Sequence, residues 1–522
     1  MINTKRILCL VLALLMLLPI LVACKKTGDG VTEETTEAGV AVGAQTSSAD
    51  VAESTTGEQL RYDEDGYLMD DLDLKGINLE GKSYTVLIGE GSKGRYYVDP
   101  DDIGTTLKTA VYNRHMAVTI RLNCNLNYVP ETDGWEYRST FIKKAQEMLT
   151  TDGVDLISVY SLTTSAMMIQ GLLQDLHKSE TLDFNKPWWN SQMVDGCTIL
   201  GKMYFCSGDI DYQVIGQSFA YLYNKDLAST SNLDAWIVAQ YGEDDVYALV
   251  KEGKWTYDKM MAIAKQVSVN SGVKDDTATY GYVAAMIGTD SFYQACGMKQ
   301  LVTGADGSIM IAADHSSDKA GEIMTKLLEF IKSTSAVVDS TAGALASGNK
   351  TSGAFWKDGQ ALFCNTVVSG ALTERAFDQG VLPCPKYDEA QEQYLTCPGF
   401  GYNMWAIARG TTQEFEDMCA IMEAMASEGY RKTNPTYFDT MLSERQETAN
   451  DYDMLQIIRA GIVIDGGRVM DNAFDTNTWS IWRRCVMGDR DYLSYRSGYA
   501  ENLTEQAASL NALMRNMEKL YA

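Results

Sequence analysis

The chain has 522 residues, 45% hydrophobic and 22% charged, a balance that excludes a wholly disordered or fibrous protein. At about 100 to 200 residues per domain, the length suits two or three domains. Lys and Arg number 44 against 70 Asp and Glu, and the formal charge of −26 speaks against nucleic acid and anionic membrane surfaces as partners. The three histidines, His115, His177 and His315, have no metal-ligand spacing, so neither a metal nor a cofactor is expected.

In chain order, Lys5 and Arg6 precede an apolar run from Ile7 to Ala23 that contains Pro19 and is marginal for crossing about 30 Å of hydrocarbon. The pattern is that of a secretory signal peptide over residues 1–23. Leu21-Val22-Ala23-Cys24 resembles the lipobox of bacterial lipoproteins, which implies lipidation of Cys24 and tethering at the extracellular face of the cell membrane. Residues 24–60, rich in Thr, Ser, Gly, Ala and Glu and without an aromatic residue up to Gln59, are expected to be a disordered linker.

From there the periodicity predicts a strand at Ser83–Ile88, a helix over Thr105–Ile120, a strand at Leu126–Val129, a helix from Tyr137 to Leu149 and a buried strand at Val154–Val159. This β-α-β-α-β order predicts an α/β layer with a partly parallel sheet. Gly201-Lys202 reads as a hairpin turn whose regular ladder would set Cys197 opposite Cys206. Thr256 reads as an N-cap ahead of Met260, Ile263, Ala264 and Val267, and the same spacing recurs at Met324–Ile331 and Met418–Met425.

Gly89-Glu90-Gly91-Ser92-Lys93-Gly94 follows a strand but opens no helix. It therefore reads as a loop at the carboxyl end of the sheet, able to touch a ligand through Glu90, and not as a dinucleotide fingerprint. Acidic pairs such as Asp99/Asp101, Glu131/Asp133 and Asp209/Asp211 would suit an extracellular glycoside hydrolase, but 70 acidic residues make such pairs ordinary. No nucleophile elbow or P-loop occurs, and no enzyme is expected. With Cys9 in the leader and Cys24 lipidated, nine cysteines remain. Cys197 with Cys206 and Cys384 with Cys397 are the local candidates for bridges, against nine buried thiols as the alternative. The 29 tyrosines and nine tryptophans suit stacking on sugars, with Tyr96, Tyr97, Trp188, Trp189, Tyr212, Phe355, Trp356, Phe400 and Tyr402 as candidates.

Several segments resemble, in order, the family 1 extracellular solute-binding proteins of ABC importers, in particular the sugar-binding lipoproteins. Tyr221-Leu222-Tyr223-Asn224-Lys225-Asp226-Leu227 is similar to the family's Y-Y-N-K-D-L strand, and Gly253-Lys254-Trp255-Thr256-Tyr257-Asp258 to its W-T-W-D-E segment. Gly281-Tyr282, Phe355–Phe363, Val381–Gln391 and Ala424–Tyr430 resemble later elements of the family. The resemblance implies a two-lobed periplasmic-binding-protein-like α/β fold, with lobes joined by crossing hinge strands and a ligand cleft between them. It places residues 61–218 and 365–405 in lobe 1, and 219–364 and 406–522 in lobe 2. It also implies a substrate-binding lipoprotein, monomeric, that captures a carbohydrate and delivers it to a membrane permease. A peptide-binding lipoprotein is the other binder considered. The expected ligand-binding residues are Glu90, Tyr96, Asp209, Tyr212 and Trp356 from the loop, aromatic and acidic candidates above, and Asn365, Thr366, Phe400 and Tyr402 in segments that the resemblance matches to the family's cleft, with no catalytic residue.

Overall fold

The structure is a computed structural model that describes residues 60–269, 272–339, 350–445, 448–474 and 478–520; the leader, Cys24 and the linker lie outside them. Strand β1 (Ser83–Gly89) buries Tyr84, Val86, Leu87 and Ile88 in near succession, the pattern of a strand covered on both faces. It is accordingly central, parallel to β2 (Asn125–Glu131) on one side and β3 (Leu156–Tyr160) on the other. The crossovers are helices α1 (Thr106–Leu122) and α2 (Arg138–Leu149). Helix α1 starts where the Thr105 side chain accepts the Lys108 N–H and stops at Asn123, in the left-handed region at φ 51°. The β-α-β-α-β order read from the sequence is therefore present, and helix α3 (Ser161–Ile169) follows β3 directly.

After helix α4 (Ser191–Cys197) the chain crosses to a second sheet of order β10-β4-β9-β5-β8. Its strands are β4 (Phe219–Asn224), β5 (Tyr280–Ala284), β8 (Ala336–Val338), β9 (Ala361–Val367) and β10 (Gln379–Leu382). Helix α5 (Tyr257–Val267) is capped by Thr256, as its sequence predicts. A separate two-stranded hairpin joins β6 (Leu301–Thr303) to β7 (Ile309–Ile311). The chain returns to the first sheet only at β11 (Asn403–Ile407), antiparallel to β3. Two hydrophobic cores result, one beneath each sheet.

Three expectations need correction. Residues 365–382, expected in lobe 1, stay with the second sheet, because β9 and β10 both hydrogen-bond to β4. Conversely, helix α6 (Phe415–Glu428) and the last helix (Ala500–Leu520) bury Met418, Ile421, Met514 and Met517 in the first core, although 406–522 was expected in lobe 2. The turn at 200–201 has both central residues at positive φ (Leu200 53°, Gly201 74°), so Ile199 pairs with Lys202. That register does not set Cys197 opposite Cys206. Cys197 ends α4, Cys206 bridges Trp405, and all nine described cysteines, Cys384 and Cys397 included, are buried free thiols.

Candidate functional site

The three parallel strands deliver their carboxyl ends to one edge of the first sheet, where ligands of open α/β sheets bind. From β1 comes the loop Glu90–Arg95, with Glu90 exposed; from β2, Asp133; from β3, Tyr160. At Gly89 an added Cβ would lie 1.8 Å from Asp133 Oδ2, so any side chain here would push the Asp133 carboxylate out of its place. The first glycine of the G-E-G-S-K-G loop thus makes room for a carboxylate and does not cradle a phosphate. Burial pushes the Asp133 carboxyl up, while the Tyr160 backbone N–H and the charge of Arg95 pull it down.

Arg95 fixes the loop to the crossing segments. Its Nη1 donates to Asp211 Oδ2 at 3.0 Å and its Nη2 to the Gly401 carbonyl at 3.0 Å. Asp211, fully buried, also accepts the backbone N–H of Asn403 at 2.8 Å. Beside it the Tyr212 ring packs on Tyr437 with centroids 4.7 Å apart. At the mouth, Trp135 keeps half of its surface exposed, and the Arg138 guanidinium lies 3.7 Å from its ring centroid.

The opposing wall comes from the second half of the chain. Arg468 lies 4.0 Å over the Phe400 ring, donates through Nε to the Pro398 carbonyl at 2.7 Å and through Nη1 to Asp290 Oδ2 at 2.8 Å. Arg483 donates through Nε to Asp290 Oδ1 at 3.0 Å. Asp290 is fully buried in the turn after β5, a turn held by Trp482 Nε1 donating to the Thr289 carbonyl at 3.1 Å. Tyr160 and Phe400 bring the walls together, their rings 6.5 Å apart. Burial pushes the Tyr160 hydroxyl up to about 12, against the pull of Arg468, Arg138 and Arg483 from both halves. Asp471, buried nearby, is pushed up by burial to about 7, with Arg483 and Arg468 opposing.

Of the residues singled out in the sequence, Glu90 lies exposed at this edge, Phe400 packs against Tyr160, and Tyr212 is buried against Tyr437 next to Asp211. Thr366 is half-buried at the end of β9, whose next residue, Val367, lies beside Gly399. Asn365 is turned inward: its Nδ2 is within 3.2 Å of the Gly288 carbonyl, Ser291 Oγ and Tyr282 Oη, so it fastens the turn that carries Asp290. Asp209 is half-buried and accepts a hydrogen bond from Asn434, and the burial of its carboxyl pushes it up to about 6. Tyr96, Trp356 and Tyr402 are corrected to core residues, each at most 2% exposed, Tyr96 packed edge-on to Trp405 and Trp356 to Phe377. The sequence reading missed Trp135, Arg138, Tyr160, Asp290, Arg468 and Arg483. Only the strand-end positions of Tyr160 and its neighbour Asp133 gave a signal. Among the described residues, no group of His, Cys, Asp and Glu is arranged to hold a metal ion.

No protein-family model matches the chain, and no curated protein does. Solved structures do match in fold. The cyclic α-maltosyl-1,6-maltose binding protein of Arthrobacter globiformis aligns over 81% of this chain and 98% of its own, with a TM-score of 0.53 and 14% identity. The galacto-N-biose/lacto-N-biose I-binding protein of a Bifidobacterium longum ABC transporter aligns over 84% and 98%, with a TM-score of 0.51 and 13% identity. An ABC substrate-binding protein of Listeria monocytogenes, solved with cycloalternan, aligns over 82% and 99%, with a TM-score of 0.50 and 13% identity. The chain has the two-lobed α/β fold of the sugar-binding proteins of ABC transporters.

Proposed function

We propose that the chain is the substrate-binding component of an ABC importer, that it captures a carbohydrate, an oligosaccharide, at the strand-end site, and that it hands this solute to a membrane permease without altering it. The observation that carries the reading is the electrostatic pairing of the site. Arg95 is paired with Asp211, and Arg468 and Arg483 share Asp290, so each of these three guanidiniums meets a buried carboxylate that offsets much of its charge. With the carboxylates of Glu90 and Asp133 at the same edge, such a surface offers little net attraction to an anion but keeps directed donors for hydroxyls. The half-exposed Trp135 indole adds a flat face for a pyranose ring. Glu90, Asp133 and Thr366 are the side chains we assign to hydroxyl recognition, with Phe400 and Tyr160 lining the floor. The ligands of two of the neighbours, cycloalternan and lacto-N-biose, are uncharged oligosaccharides and support the same class.

In this reading Cys24 carries the lipid, residues 25–59 are the leash, and the monomeric body works outside the cytoplasm. The test is thermal unfolding against a panel of mono- and oligosaccharides with peptides as controls. A sugar at a hundred times its dissociation constant should stabilise the protein by about 2.7 kcal/mol and be recovered intact. Trp135→Ala should weaken that sugar by about tenfold, the scale of one lost stacking contact. A response to peptides alone, or turnover of the sugar, would refute the proposal.

A further inference from the structure

A cavity of about 840 Å³ lies apart from the strand-end site and shares none of its residues. One wall is α4, through Val194, whose helix buries Met193 and Cys197 in the first core. The other is formed by Gln294 and Met298, which follow β5, with Met298 in the second core. Gly307 of the β6–β7 hairpin and the Asp465–Gly466 pair close it.

These walls are fixed. The Leu200 N–H donates to the Gly307 carbonyl at 2.8 Å, tying the hairpin to the turn after α4. The Asp465 carboxylate accepts the N–H of Gly467 at 2.7 Å and of Leu301 at 3.3 Å, so its charge is spent on the backbone. Gln294 differs from the rest. It is 2% exposed, and neither its Oε1 nor its Nε2 has a hydrogen-bond partner among the described residues. A buried primary amide with both functions unsatisfied is costly, and the groups that satisfy it together are a donor and an acceptor on one molecule.

We propose that this cavity is a second solute site, taking a neutral hydroxyl-bearing molecule of disaccharide size that hydrogen-bonds the Gln294 amide. The volume falls within the range of small-molecule sites, roughly 300 to 1,000 Å³. Asp465 is held by backbone N–H groups, and the other two charged residues on the wall, Asp195 and Lys299, are exposed and of opposite sign, so the lining carries little net charge to select an ion. The inference does not depend on which solute the strand-end site takes.

Calorimetric titration of the full chain with maltose, cellobiose and lactose tests it. One of these sugars should give a binding event that Gln294→Leu and Val194→Trp each weaken by about tenfold, the worth of one or two hydrogen bonds, and that Trp135→Ala leaves in place. Gln294→Leu deletes two unpartnered buried atoms, so it should unfold no earlier than the wild type, and lost binding cannot be ascribed to misfolding. Heats indifferent to both cavity substitutions, heats abolished by Trp135→Ala alone, or silence from all three sugars would each overturn the proposal.

Discussion

Glu423 offers the sharpest test of how the first core is held. It lies on α6, only 2% exposed, and its two carboxyl oxygens accept Trp188 Nε1 at 3.0 Å and Trp189 Nε1 at 2.8 Å. Burial pushes this carboxyl up to about 8, with the Asp70 charge adding to the rise and the two indoles opposing it. The folded protein therefore holds a proton on Glu423 over a range of pH in which the unfolded chain has released it. Between about 4.5 and about 8 the native state binds more protons than the unfolded state, so stability falls as pH rises. Each pH unit in that window costs about 1.4 kcal/mol, with an upper bound of about 5 kcal/mol across it.

Glu423→Gln removes the titration but puts an amide NH2 against one indole N–H. That leaves a buried donor unpartnered, at about 1 to 3 kcal/mol. The two stability curves should therefore cross. The variant is weaker near pH 5, where the wild-type carboxyl is protonated at no cost, and equal or stronger near pH 8. Urea unfolding of both proteins across that range measures the difference in slope, in which the other titrating groups cancel. Parallel curves would refute the argument that desolvation dominates at Glu423.

Asp290→Ala should destabilise the protein by about 3 to 5 kcal/mol, because it strands the Arg468 and Arg483 guanidiniums beside a buried void. Urea unfolding checks this, and an unchanged midpoint would show that the arginines find water or another carboxylate. Thiol titration gives an independent check of the cysteines. The native protein should react slowly with a thiol reagent, since burial raises the thiols, to about 11 at Cys124 and about 12 at Cys364 and Cys397. In denaturant without reductant, all nine cysteines of the body should label, whereas two bridges would withdraw four of them.

The first sheet was legible because its information is local. Ser83–Ile88 is a short β-rich apolar run, and Thr105 and Thr256 cap the helices they precede, so pattern and structure agree to within a residue or two. Lobe membership after β9 was not legible. Whether Gln379–Leu382 joins the first or second sheet depends on its pairing with β4, more than 150 positions earlier, and neither strand's sequence encodes its partner. The aromatic candidates failed for a related reason. Tyr96 and Trp356 have the composition of sugar-stacking residues, yet ring type says nothing of which way a ring faces.

The site divides in the same way. Its strand-end half could be found from sequence, since a loop that closes a predicted parallel strand must emerge at the ligand-facing edge, and Glu90 and Asp133 do. Its other half is a charge cluster assembled from three distant segments: Asp290 after β5, Arg468 in the helical turn Gly466–Val469 and Arg483 in the helix Thr478–Gly488. No spacing rule links these positions. What selects them is the cost of leaving these buried guanidiniums without a carboxylate, and a chain with 70 acidic side chains against 44 basic ones supplies such partners readily. The acidic surplus that reads from composition only as repulsion of polyanions thus has a second consequence inside the fold. It lets arginines be used as rigid, carboxylate-paired donors at a site we assign to an uncharged ligand.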